Sequence, residues 1–187
     1  MELIVAITGA SGAIFGIRML EILQKTPEVK THLIISKSAS LTIASETNYK
    51  ISEVKLLADV CHNIDDVSAC LASGSFKTTG MIIAPCSIKT MSAIAHSYCD
   101  NLITRSADVT LKERRKLVLM LRETPLHLGH IRNMALIAEN GGIIYPPVPA
   151  FYSNPKTIDD LVNHSVYHAL DLFGINDSNF KRWNGML

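Results

Sequence analysis

The segment Thr8-Gly9-Ala10-Ser11-Gly12 brings glycines and hydroxyls together where an anion could be held. N–H groups at a helix start, backed by the helix dipole, attract negative charge, and glycines let the backbone approach closely. The same letters also serve a plain tight turn, with glycine present for its dihedral freedom. A second group, Arg105, Asp108 and Lys112, is spaced i, i+3, i+7 and shares one helix face. Arginine can grip an oxyanion as a fork and lysine as a point charge. Such a face is equally a solvated surface tied by weak ion pairs. Glu46 could move protons if a bound ring buried it. Cys86, following Pro85 at the end of an apolar run, is better suited to packing than to nucleophilic chemistry. His127 with His130, and His164 with His168, each share a helix face, yet show neither a third ligand nor an H-E-x-x-H pattern.

The glycine spacing narrows the anion. Gly9, Gly12 and Gly16 read G-x-x-G-x-x-x-G, not the G-x-G-x-x-G of dinucleotide sites. Those sites also place a carboxylate after the second strand to hold a ribose, whereas here that strand ends in Ile35-Ser36-Lys37. A mononucleotide such as FMN, at the carboxyl ends of the strands, is the better fit. Short-chain dehydrogenases share a Thr-Gly-Ala-Ser-Gly turn and pair it with Tyr-x-x-x-Lys on a helix. Tyr152 and Lys156 have that spacing, but Pro155 and the prolines before it predict a loop.

These residues need a scaffold of alternating strands and helices. Apolar runs at Leu3–Ile7, Thr31–Ser36, Gly80–Ala84, Lys116–Leu121 and Gly142–Tyr145 predict short strands buried on both faces. Pro85 is expected to cut the third strand. Helices are predicted over Ala13–Leu23, Ala39–Glu46, Ile51–Ala58, Ser87–His96, Asn101–Arg115 and His127–Glu139, with Cys61–Lys77 mostly loop. The last helix is the clearest: Ile158, Leu161, Val162, Val166, Ala169, Leu170 and Phe173 recur at helical spacing, between a Thr157/Asp160 cap and a Gly174 stop. The alternation predicts an α/β fold with a doubly wound parallel sheet.

At 187 residues, 48% hydrophobic and 19% charged, the chain suits one well-buried domain. Residues 1–175 are expected to form it, with 176–187 as a tail at a subunit contact. A net charge of +1 gives no field for nucleic acid or a membrane surface. Four cysteines lack any C-x-x-C pair, the N-terminus has no basic region and cleavage site, and no apolar run nears the roughly 18 residues of a membrane span. A cytoplasmic protein with reduced thiols is the expectation.

Several segments in order resemble one family, the UbiX-type flavin prenyltransferases, formerly described as 3-octaprenyl-4-hydroxybenzoate or phenylacrylic acid carboxy-lyases. They are Thr8–Ala13, Ile35–Lys37 with Ser45-Glu46, Ser73–Phe76, Ala84–Thr90, Asp100–Leu102, Arg105–Arg115, Leu121–Leu126, Pro146–Tyr152 and Lys181–Trp183. The resemblance implies a Rossmann or flavodoxin-like sheet in a homododecamer with sites between subunits. It implies transfer of a dimethylallyl group from dimethylallyl monophosphate to reduced FMN. The product, prenylated FMN, would serve a UbiD-type decarboxylase, as in ubiquinone synthesis. Carried over by position, Gly9, Ala10, Ser11, Ser36, Ser87, Ile88, Lys89, Thr90 and Arg122 would hold FMN. Ser11 and Glu46 would be catalytic, while Arg105, Lys112, Arg122 and Tyr152 would surround the prenyl phosphate. His168 stands where the family usually has arginine or lysine, so it too would meet that phosphate. No D-D-x-x-D magnesium motif is present, so no metal is expected to assist the leaving group. The alternatives are a flavin-dependent aromatic or peptidyl acid decarboxylase and a flavin electron carrier. The carriers are usually more acidic, and the peptidyl decarboxylases use an early histidine, for which only His32, inside a strand, is available.

Overall fold

A computed structural model of the chain describes residues 1–176 together with Arg182, Trp183 and Gly185. The rest of the tail expected at a subunit contact lies outside the described residues. Strands β1 (Glu2–Ile7), β2 (Lys30–Ile35), β3 (Val60–His62), β4 (Gly80–Cys86), β5 (Lys116–Leu121) and β6 (Ile143–Ile144) form one sheet. Its order is β3-β2-β1-β4-β5-β6, and every pairing is parallel. Helices α1 (Ala13–Leu23), α2 (Lys37–Glu46), α3 (Ile51–Leu56), α4 (Ile88–Ala95), α5 (Leu102–Lys112), α6 (Leu128–Glu139) and α7 (Ile158–Asp171) cover it.

Alternation along β1 shows why both faces are dry. Leu3, Val5 and Ile7 meet Ile17 and Leu20 of α1, Ile43 of α2 and Val166 of α7. Ile4 and Ala6 join the opposite core with Met91 of α4, Ile103 of α5 and Ile137 of α6. Each such buried aliphatic side chain contributes about 1.5–3 kcal/mol of transfer free energy. Gly16 lets α1 lie against β4, because a Cβ there would stand 2.2 Å from the Ala84 carbonyl oxygen. Between β1 and β4 the strand order reverses, which opens a crevice at their carboxyl ends.

Three expectations differ from the structure. The stretch expected to be loop contains β3, which pairs with β2 from His32 to Ile34, and a tight turn at Cys70–Ala72. Three residues are too few for a periodic signal, so only the pairing reveals β3. Strand β4 runs through Pro85, since the ladder shifts register between Ile83 and Cys86 and asks no N–H of it. Helix α5 stops at Lys112, not Arg115, because Arg114 takes a left-handed φ of 56°. The Arg114 and Arg115 N–H groups then donate back to Leu111 and Thr110, a glycine-type stop made without glycine. Helix α7 begins as expected: Thr157 and Asp160 cap each other, and Gly174, at φ 74°, ends the chain's turn.

Candidate active site

Thr8 joins the two strands at the switch point. Its N–H and hydroxyl both donate to the Pro85 carbonyl, at 3.2 and 2.7 Å, and its Oγ1 accepts from the Ser87 N–H at 2.8 Å. The loops after β1 and β4 are thereby locked side by side. Gly9 is pressed against the start of α2, where a Cβ would lie 2.3 Å from Ser38 Cβ. The glycine is required here by a close approach and not by a turn dihedral.

Two connected features result. A cavity of about 260 Å³ is lined by Ser36, Lys37 and Ser38 of the α2 start, Ser87, Lys89 and Thr90 of the α4 start, and Asn101, Ile103 and Thr104 of the α5 start. Beside it, Gly9, Ala10, Ser11, Ser87, Ile88, Arg122, Glu123 and Thr124 line a more open crevice of about 280 Å³. Ser36 accepts from the Ala39 N–H at 3.0 Å, Ser87 from Thr90 at 3.3 Å, and Asn101 from Ile103 and Thr104 at 2.9 and 3.2 Å. The capped N-terminal ends of three helices therefore line one space, with the Asp65 and Asp100 carboxylates also in its wall.

The α1 start behaves differently from expectation. Glu46 Oε2 accepts from the Gly12 N–H at 2.8 Å and from Ala13 at 3.4 Å. The chain's own carboxylate therefore occupies the anion position at that helix. Gly12 sits at φ 98°, with the Phe15 ring 2.9 Å from where a Cβ would be. Arg122 Nε donates to the Ser11 carbonyl at 3.3 Å, which brings its guanidinium over the glycine turn. Ser11, Glu46 and Arg122 are therefore neighbours at the crevice mouth, all exposed in the single chain.

The other expected phosphate ligands stand on different elements. Arg105 donates from Nε to the Ala72 carbonyl at 3.1 Å and pairs with Asp108 at 3.0 Å. Lys112 pairs with Glu113 at 2.5 Å. Both belong to the α5 face that grips the 70–78 segment, with Arg115 donating to Gly74 and Phe76 carbonyls beside them. Tyr152 and His168 lie at the C-terminal side, on the turn before α7 and on α7 itself. Tyr152 shares a hydrogen bond of 2.9 Å with His164 Nε2.

His168 has a defined tautomer. The Tyr145 hydroxyl gives its one proton to the Ser165 carbonyl, at 3.1 Å, and so accepts from His168 Nδ1 at 3.2 Å. Burial first, with Tyr152 second, pushes the Tyr145 phenol up to about 12, so the hydroxyl keeps that proton.

Cys86 is fully buried, and burial pushes its thiol far above the ordinary range, so it packs and does not attack. Sequence reasoning missed Lys37, Ser38, Ile103 and Thr104 as cavity wall, together with Asp65, which pairs with Lys37 at 2.9 Å. The donor set suits a mononucleotide phosphate: hydroxyls, helix starts and Lys89 at one end of the cavity, Arg122 at the neighbouring crevice.

Comparison with known proteins bears on this arrangement. A family model described as Flavoprotein matches residues 1–166. Flavin prenyltransferase UbiX of Thauera aromatica is 59% identical over 185 residues, spanning 99% of this chain and 95% of its own. The solved structure of AnUbiX (PadA1), in complex with FMN and dimethylallyl pyrophosphate, is similar at TM-score 0.97 and 51% identity, covering 100% of this chain and 98% of that one. A dodecameric FMN-dependent UbiX-like decarboxylase from Escherichia coli O157:H7 is similar at TM-score 0.97 and 49% identity, covering 99% and 100%.

Proposed function

The chain belongs to the UbiX flavin prenyltransferases, and from that premise we propose that its switch-point cavity holds reduced FMN for alkylation by dimethylallyl monophosphate. It is an FMN-binding prenyltransferase. The observation that carries the reading of the site is the convergence of the capped α2 and α4 starts beside Arg122.

In this reading Ser36, Ser87 and Thr90, with Lys89, hold the FMN phosphate, and Gly9, Ala10, Ser11 and Ile88 give backbone to the rest of the ligand. When bound, the reduced flavin supplies the nucleophilic ring. Arg122 would hold the prenyl phosphate beside the flavin, where its fixed charge would stabilise the departing phosphate. Glu46, next to Ser11, takes up the proton released as the new carbon bonds form, and Ser11 orients it. Arg105, Lys112, Tyr152 and His168 complete the phosphate shell across subunit boundaries. Their separate placement on α5 and before and along α7 supports an assembled site. So does exposed apolar surface at Leu128 (58%), Val148 (72%), Phe151 (75%) and Ile158 (80%). A homododecamer follows from the same reading, as in the E. coli O157:H7 structure.

The product, prenylated FMN, would pass to a UbiD-type decarboxylase in the cytoplasm. No described helix is long and apolar enough to cross a membrane. The test mixes protein, FMN, reductant and dimethylallyl monophosphate without oxygen and weighs the flavin by mass spectrometry. A gain of one dimethylallyl mass supports the proposal. Unmodified flavin with carbon dioxide released from an aromatic acid supports the decarboxylase reading suggested by the name of the E. coli O157:H7 neighbour.

A further inference from the structure

Away from the FMN cavity, β2, β3 and the turn at Cys70–Ala72 bring His32, His62 and Cys70 together. Their positions in sequence form no motif, and only the sheet edge unites them. One donor atom from each lies within 4.8 Å of the others. His32 Nδ1 and His62 Nε2 are already 2.9 Å apart, and the rings stack at 5.2 Å. We propose that His32 Nδ1, His62 Nε2 and Cys70 Sγ form a binding site for a thiophilic divalent metal, Zn²⁺ by chemistry, separate from the prenyl-transfer site.

Three features support it. The first is the back of His32. Its Nε2 is hydrogen-bonded to the Glu2 carboxylate, so that nitrogen carries the proton and Nδ1 presents a lone pair inward. A carboxylate behind a histidine is the usual outer support of a metal-bound imidazole. The second is spacing. Tetrahedral Zn²⁺ with nitrogen and thiolate ligands needs donors roughly 3.3–3.6 Å apart; the two imidazole nitrogens, at 2.9 Å, must part by about half an ångström, and no donor separation in the cluster exceeds 4.8 Å. The third is burial. His32 is 3% exposed, with the Phe76 ring edge-on at 5.4 Å, whereas Cys70 is exposed and gives a route in from solvent.

The proton accounting is simple. Metal uptake releases the Cys70 thiol proton to solvent. His62 moves its proton from Nε2 to Nδ1, and the His32–His62 hydrogen bond is replaced by two coordinate bonds. A water completes the fourth position on the exposed side. The clamp would join the 70–72 turn to the sheet edge, and Ala72 in that turn accepts from Arg105.

The test uses the full-length protein after chelator treatment and dialysis. Co²⁺ is added as the spectroscopic probe and then displaced by Zn²⁺. The expected result is a near-ultraviolet thiolate-to-cobalt charge-transfer band with intense visible bands of tetrahedral cobalt. Cys70→Ser, at an exposed position, should abolish the charge-transfer band with circular dichroism unchanged, while Cys61→Ser should keep it. Glu2→Gln should weaken Zn²⁺ binding about 10–100-fold. Zn²⁺ should raise the melting temperature of the wild type and of Cys61→Ser but not of Cys70→Ser. No charge-transfer band in the wild type, or a band that survives in Cys70→Ser, would overturn the proposal.

Discussion

Replacing Gly9 by alanine tests how the switch-point cavity is built. The added methyl would stand 2.3 Å from Ser38 Cβ and 3.3 Å from the Ser38 carbonyl carbon. The first distance is far inside van der Waals contact, so the glycine turn and the α2 start must separate. Overpacking of this kind costs about 1–3 kcal/mol. Ser38→Gly removes the clashing carbon and by itself costs about 0.5–1 kcal/mol, through backbone entropy in the first turn of α2. If the two effects were independent, the double variant would lose roughly 1.5–4 kcal/mol. Relief of the clash leaves only the tolerable 3.3 Å contact, so the double variant should lose only about the 0.5–1 kcal/mol of Ser38→Gly, a coupling of about 1–3 kcal/mol. Urea unfolding of the wild type, both single variants and the double gives this cycle. Quenching of flavin fluorescence should follow it, with FMN affinity reduced in Gly9→Ala and largely restored in the double. Additivity within about 0.5 kcal/mol would refute the claim that the glycine serves a close approach.

Other expectations rest on separate contacts. Glu46→Ala removes the acceptor for Gly12 N–H, so it should destabilise by about 0.5–2 kcal/mol in urea unfolding and lower the anaerobic prenylation rate. Glu46→Gln should recover most of the stability and little of the rate. Arg122→Ala should weaken dimethylallyl phosphate binding about tenfold or more, with Arg122→Lys restoring only part, since a point charge cannot reproduce the fork. His168→Arg should tighten dimethylallyl phosphate binding, measured by equilibrium titration of the FMN-loaded protein. Asp59 gives the pH dependence. Hydrogen bonds from the Thr31 N–H and then the Thr31 hydroxyl hold its carboxyl below the ordinary carboxylate range. Its stabilisation is therefore complete above that ordinary value and is lost as pH falls through the depressed one. Asp59→Asn should flatten the acid limb of stability measured by urea unfolding down to about pH 3.

The local sequence determined much of this protein. The apolar runs placed five of the six described strands, because a strand buried on both faces must be continuously apolar. Thr157, Asp160 and Gly174 marked the ends of α7 by capping chemistry that acts within a few residues. Tertiary structure decided what local rules could not reach. Pairing with β2, not periodicity, made a strand of Val60–His62. The fold swung Glu46 onto the α1 start, where its carboxylate takes the Gly12 and Ala13 N–H groups. It also stationed Arg105 and Lys112 over the 70–78 segment, Tyr152 on the turn before α7 and His168 on α7 itself. Contacts between residues dozens of positions apart depend on strand order and helix packing, and those are properties of the whole chain.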